Sequence, residues 1–88
     1  MRRSDAYALL AKELEHWRSV MPEHLTAAIE KPVISRYADL AGERVLIETR
    51  VTWVDSRHEA VMIEAEASGP SHWHTERVVE RIRVPLSK

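Results

Sequence analysis

The sequence predicts an α+β domain: an N-terminal helix, broken near Pro22, packed on a three-stranded antiparallel β-meander. Three observations carry this expectation. Apolar residues recur at spacings of three and four from Tyr7 to Met21, which is a helical stripe. From Glu43 onward the period changes to two. Turn-forming residues then divide that alternating half into three runs.

Ser4 suits a helix N-cap, and Asp5 follows where the helix dipole favours a negative charge. The stripe is Tyr7, Leu10, Leu14, Trp17 and Met21, with Lys12, Glu15 and Arg18 on the watery side. Pro22 lacks an N–H and clashes with a preceding turn, so the helix stops there. Proline is well placed to begin a second short helix, and Pro22–Glu30 sets Leu25, Ala28 and Ile29 on one face. Pro32 ends it. Residues 31–43 read as a connection, with Val33 and Ile34 able to form a short edge strand and Ala41-Gly42-Glu43 a turn.

The strand signal is strongest from Glu43 to Asp55. Val45, Ile47, Thr49, Val51 and Trp53 share one face, and Leu46, Glu48, Arg50, Thr52 and Val54 the other. A three-residue loop, Asp55-Ser56-Arg57, would set Val51 opposite Val61 and Thr49 opposite Ile63. In the next run Val61, Ile63, Ala65 and Ala67 alternate with Met62, Glu64 and Glu66. Ser68-Gly69-Pro70-Ser71 reads as a second turn. The last run fits a helix or a strand. Two features favour the strand: the ending Ile82-Arg83-Val84-Pro85-Leu86, and the match of Arg77, Arg81 and Arg83 to Glu64 and Glu66 across an antiparallel pair.

The chain has 88 residues, which sets one domain, 1–88, as the expectation. A domain of this size buries little surface, and without cysteine no disulfide can brace it. Self-association would help, and an open edge strand invites it; the strand from Glu43 would lie at such an edge. The hydrophobic share is 44% and the charged share 31%, a globular composition. Net charge is −1, which weighs against a protein that mainly grips phosphate. Lys12, Lys31 and Lys88 are the only lysines, and the arginine excess suggests a GC-rich bacterial source. No secretory signal or membrane-length apolar run is visible, and the lack of cysteine suits the cytoplasm.

One resemblance can be stated from these residues. Leu10, Glu13-Leu14, Pro22-Glu23-His24-Leu25 with Ile29, Pro32, the run Val45–Trp53 closed by Asp55, and Pro85-Leu86-Ser87 follow an order similar to a group of small uncharacterised bacterial proteins. That resemblance implies a helix-plus-meander architecture and brings no activity. The turn after Trp53 and residues 68–76 depart from it.

Three sets of residues could carry chemistry. His72 and His74 flank Trp73 in Ser71-His72-Trp73-His74-Thr75, and on a strand both imidazoles would share a face and could hold one metal ion. No third ligand is evident: His58 falls at the far end of the hairpin, and His16 and His24 belong to the helices. Trp73, Arg77, Arg81 and Arg83 form an aromatic and basic face of the kind that stacks single-stranded nucleic acid. Glu48, Glu64 and Glu66 lie on the same face, and neutralising the arginines is their simpler role. Glu59, Glu76 and Glu80 could pair with His58 or His74 for acid–base work, but no spacing marks them out. Trp17 and Trp53 lie on apolar stripes and read as core. With only Gly42 and Gly69 there is no glycine-rich phosphate loop, and no nucleophile motif is present.

The sequence therefore points to a small cytoplasmic, non-catalytic protein-interaction or accessory module, homodimeric or bound to a protein partner. It implies no cofactor, no membrane and no nucleic acid. The interaction face would be Trp73, Arg77, Arg81, Arg83, Glu64 and Glu66. Neutralising a partner, as toxin-immunity and phage-derived inhibitors do, fits the size and charge. The competing readings are metal binding through His72 and His74, or single-strand binding through the Arg77/Arg81/Arg83 face.

Overall fold

The computed structural model describes residues 2–31, 33–70 and 75–86. Helix α1 spans Arg3–Arg18 and α2 spans Pro22–Ile29. Four strands follow: β1 Ile34–Leu40, β2 Glu43–Trp53, β3 Ala60–Pro70 and β4 Thr75–Pro85. They form one antiparallel sheet in chain order, β1-β2-β3-β4. The α+β class, the helix break and the meander are as expected, but the sheet has four strands where three were expected.

The added strand is β1. Its residues alternate, with Ile34, Arg36, Ala38 and Leu40 on one face and Ser35, Tyr37 and Asp39 on the other. It pairs without interruption from Ile34↔Thr49 to Leu40↔Glu43. Ala41 and Gly42 close the hairpin at φ +52° and +83°. Two positive φ values in a two-residue loop are those of a type I′ turn, whose twist matches the flanking strands. β2 is consequently interior, not an edge.

The helices cover one face only. α1 packs on β3 and β4, and α2 on β2. Beneath them lie Val45, Ile47, Thr49 and Val51 of β2, Val61, Ile63, Ala65 and Ala67 of β3, and Val78 and Val84 of β4. From α1, Ala6, Leu10 and Leu14 enter this core, and from α2, Leu25 and Ala28. The buried line on α1 thus runs along 6, 10 and 14. Tyr7 is 38% exposed and Met21 57%, so the expected stripe is turned by one position at its start and ends early. Ala6 takes the inner place because a small side chain lets the helix sit close to the sheet. Met21 lies outside α1, as the N-cap of α2.

The helix ends also differ in detail. α1 begins one residue before Ser4, with Arg2 at the N-cap and no side-chain cap. It ends where the Ser19 N–H and hydroxyl both donate to the His16 carbonyl, at 3.1 and 2.7 Å. Pro22 opens α2 at its first position, as expected.

The β2–β3 loop is longer than a three-residue connection. It occupies residues 54–59, and the register is Trp53↔Val61, Val51↔Ile63 and Thr49↔Ala65. Like faces still meet, but every pair is shifted by two residues. Inside the loop the Asp55 carboxylate accepts the Arg57 N–H at 2.9 Å. His58 adopts φ +58° and stacks on Trp53, with ring centroids 4.2 Å apart. His58 precedes β3 and does not begin it. Ser68, Gly69 and Pro70, expected as a turn, continue β3 and pair with Arg77, Glu76 and Thr75.

Two outcomes follow from this packing. Leu10→Ala should lower unfolding free energy by about 2–5 kcal/mol, while Tyr7→Ala should cost about 1 kcal/mol or less, by denaturant titration. Equal losses would contradict the buried line 6-10-14. Ala41 is a non-glycine residue in the left-handed region, so Ala41→Asn should raise stability by about 1 kcal/mol, seen as a higher denaturation midpoint.

Candidate interaction surface

The face of the sheet away from the helices has no covering layer among the described residues. Its side chains are Ser35, Tyr37 and Asp39 of β1, Arg44, Leu46, Glu48, Arg50 and Thr52 of β2, Met62, Glu64, Glu66 and Ser68 of β3, and Arg77, Val79, Arg81 and Arg83 of β4. This pattern follows from the period of two and the pairing register.

One row of this face is a charge ladder. Arg50, Glu64 and Arg81 are direct neighbours across three strands. The Arg81 Nη2 donates to Glu64 Oε2 at 3.0 Å, and Arg50 Nη1 lies 3.9 Å from Oε1 of the same carboxylate. Arg77 lies 3.6 Å from Glu66. The expected match of β3 carboxylates to β4 arginines is therefore present for Arg77 and Arg81. Arg83 instead stands opposite Met62. Glu48 faces Glu66 directly, an unfavourable like-charge pair that Arg77 relieves from the β4 side. These arginines are well exposed and their ion pairs are individually weak. Their effect is to cancel the charge of the face, which removes much of its attraction for phosphate.

The expected face residues Arg77, Arg81, Arg83, Glu64 and Glu66 thus come together as one surface. Trp73, His72 and His74 lie outside the described residues. Among the described residues no three histidine, aspartate or glutamate side chains are grouped to hold a metal ion. No described helix is long and apolar enough to cross a membrane.

Sequence reasoning missed a second polar constellation, at the β1 edge. Glu13 projects from α1 toward the inner face of β1 and is only 12% exposed. Its Oε1 accepts from Nε of Arg36 at 3.1 Å and also from Nη2, while Oε2 accepts from the Trp17 indole N–H at 3.1 Å. One carboxylate thereby ties β1 to α1 and sets the indole, whose N–H needs a partner in a half-buried site. Around it Leu9, Trp17 and Ile34 line an open trough with Lys12 and His16. A neighbouring hollow is lined by Trp17, Val20, His24, Ala28 and Ile34, and another by Asp5, Leu9, Lys12 and Leu40. These grooves exist because α1 and α2 cover β2, β3 and β4 and leave the inner side of β1 half-exposed. On the outer side of β1 the Arg44 guanidinium lies 4.7 Å from the centre of the Tyr37 ring, a cation–π contact. The signal that could have found this edge is the alternation Ile34/Arg36/Ala38/Leu40 ending at Ala41-Gly42.

No family model, curated protein or solved structure matches the chain.

The Glu13 bridge has a measurable consequence. In a double-mutant cycle of Glu13→Gln and Arg36→Met, the coupling energy should be about 0.5–1.5 kcal/mol, because the carboxylate is largely sheltered from water. A coupling near zero would mean that the bridge does not hold β1.

Proposed function

We propose that the chain is a small protein-interaction module that works as a homodimer in the cytoplasm and carries out no catalytic step of its own. The observation that supports this is the one-sided sheet. Helices cover one face, and among the described residues nothing covers the other face or pairs with the outer edges of β1 and β4. Exposed strand edges and an unlayered sheet are the elements through which small domains assemble. The size agrees, since 88 residues bury little surface alone and gain from a partner. The cancelled charge of the outer face favours a protein over a nucleic acid, and the cysteine-free composition suits a reducing compartment.

Native mass spectrometry of untagged protein purified without chelator reads subunit number and bound metal together. The expected result is a metal-free dimer. A monomer at all concentrations would remove self-association. A mass increment of whole zinc equivalents would transfer the function to metal binding and make His72 and His74 the first residues to replace.

A further inference from the structure

We infer that two copies join through their β1 strands, edge to edge, about a two-fold axis at Tyr37, making one continuous eight-stranded antiparallel sheet with all helices on the same side. This inference rests on the self-association proposed above and names the surface.

Antiparallel pairing of a strand with its own copy places residues symmetrically about the two-fold. With the axis at Tyr37, Ile34 meets Leu40 of the second copy, Ser35 meets Asp39, and Arg36 meets Ala38. Each pair lies on one face of the joined sheet, as the period of two requires. Apolar meets apolar on the inner face, and a hydroxyl that can donate meets a carboxylate on the outer face. Arg36 brings no repulsion, because its guanidinium is already turned to Glu13. The two Tyr37 rings meet at the axis, each 61% exposed in the single chain and each under its own Arg44.

The neighbouring registers are poorer. An axis at Arg36 leaves Asp39 and Leu40 beyond the start of the second copy's strand, so that only residues 34–38 pair. An axis at Ala38 sets Arg36 against Leu40 and leaves Ile34 opposite the Gly42 turn. The other edge resists the same pairing. On β4 an axis at Val79 sets Arg77 against Arg81, and an axis at Glu80 sets Glu80 against itself and Arg77 against Arg83. Charges of this kind are how edge strands avoid joining. β1 has no proline and no bulge between Ile34 and Leu40. Its inner side also borders the apolar grooves around Leu9, Trp17 and Ile34, which the second copy would partly close.

The test uses the two-fold itself. Tyr37→Glu and Tyr37→Lys each set like charges together at the axis, and each should weaken the dimer by about tenfold or more in analytical ultracentrifugation. An equimolar mixture of the two variants should recover association, because opposite charges then meet. A second readout does not depend on charge. The chain has no cysteine, so Tyr37→Cys introduces a single thiol. Directly opposed residues of an antiparallel pair have Cα atoms about 4.5–5.5 Å apart, within disulfide range. Mild oxidation should therefore cross-link Tyr37→Cys into a covalent dimer much faster than Val79→Cys on the outer face of the other edge strand. Wild-type dimers with no response to any Tyr37 change would overturn the β1 interface and leave self-association standing. Variants that dissociate but fail to associate when mixed, with no preferential cross-link, would overturn the axis. A wild-type chain that stays monomeric would overturn both readings.

Discussion

The seating of α1 on β3 is the contact on which the rest of the molecule depends. The inner side of β3 changes along its length, from Val61 and Ile63 at one end to Ala65, Ala67 and Gly69 at the other. Small side chains there let a helix approach closely, and Leu10 becomes fully buried. Ala6 on the helix answers the same requirement. With α1 along β3 and β4, α2 packs chiefly on β2. The sheet is one strand wider than two helices can roof, so β1 projects beyond them. Glu13 then serves as the polar tie at the margin of the core, where Arg36 and the Trp17 indole both remain near water. The half-exposed edge is a product of sheet width against helix number.

Much of this was legible in the residues. The break at Pro22, the long β2 alternation and the ion pairs from β3 to β4 all depend on local period or on charges in register. Those signals need no knowledge of what lies above the sheet. β1 was harder to read. It contains Arg36 on the inner face and Tyr37 on the outer face, so its hydrophobic alternation is weak. Its inward arginine is tolerable only because Glu13 comes from a helix distant in sequence. The loop after Trp53 exceeds three residues for a related reason: the Asp55–Arg57 bond and the stack of His58 on Trp53 lie within it, and a left-handed histidine leaves no composition signal. Of the candidate face, the five residues of β3 and β4 could be placed from pattern. The edge constellation of Glu13, Arg36 and Trp17 could not, because it exists only after the chain folds back on itself.

The two sides of the sheet use charge differently. On the outer face, exposed arginines and glutamates neutralise one another over several strands, each pair contributing little. On the inner margin one sheltered carboxylate holds three donor groups from two side chains. The first arrangement keeps the face hydrated, since charged side chains are interspersed among its apolar ones. The second fixes geometry. A surface that is polar yet electrically balanced discriminates by shape and by register more than by attraction at a distance.

Strand order has a further consequence, for the time course of folding. Every sheet pairing joins segments adjacent in the chain, so each hairpin closes a short loop and can form early. α1 is the exception. It precedes every strand in the chain, yet its resting place is built from β3 and β4, the strands farthest from it in sequence. A 16-residue helix alone in water is marginal. The helix and the strands that bury its apolar side therefore depend on one another, and closure of the core rests on the contacts of longest sequence separation in the fold.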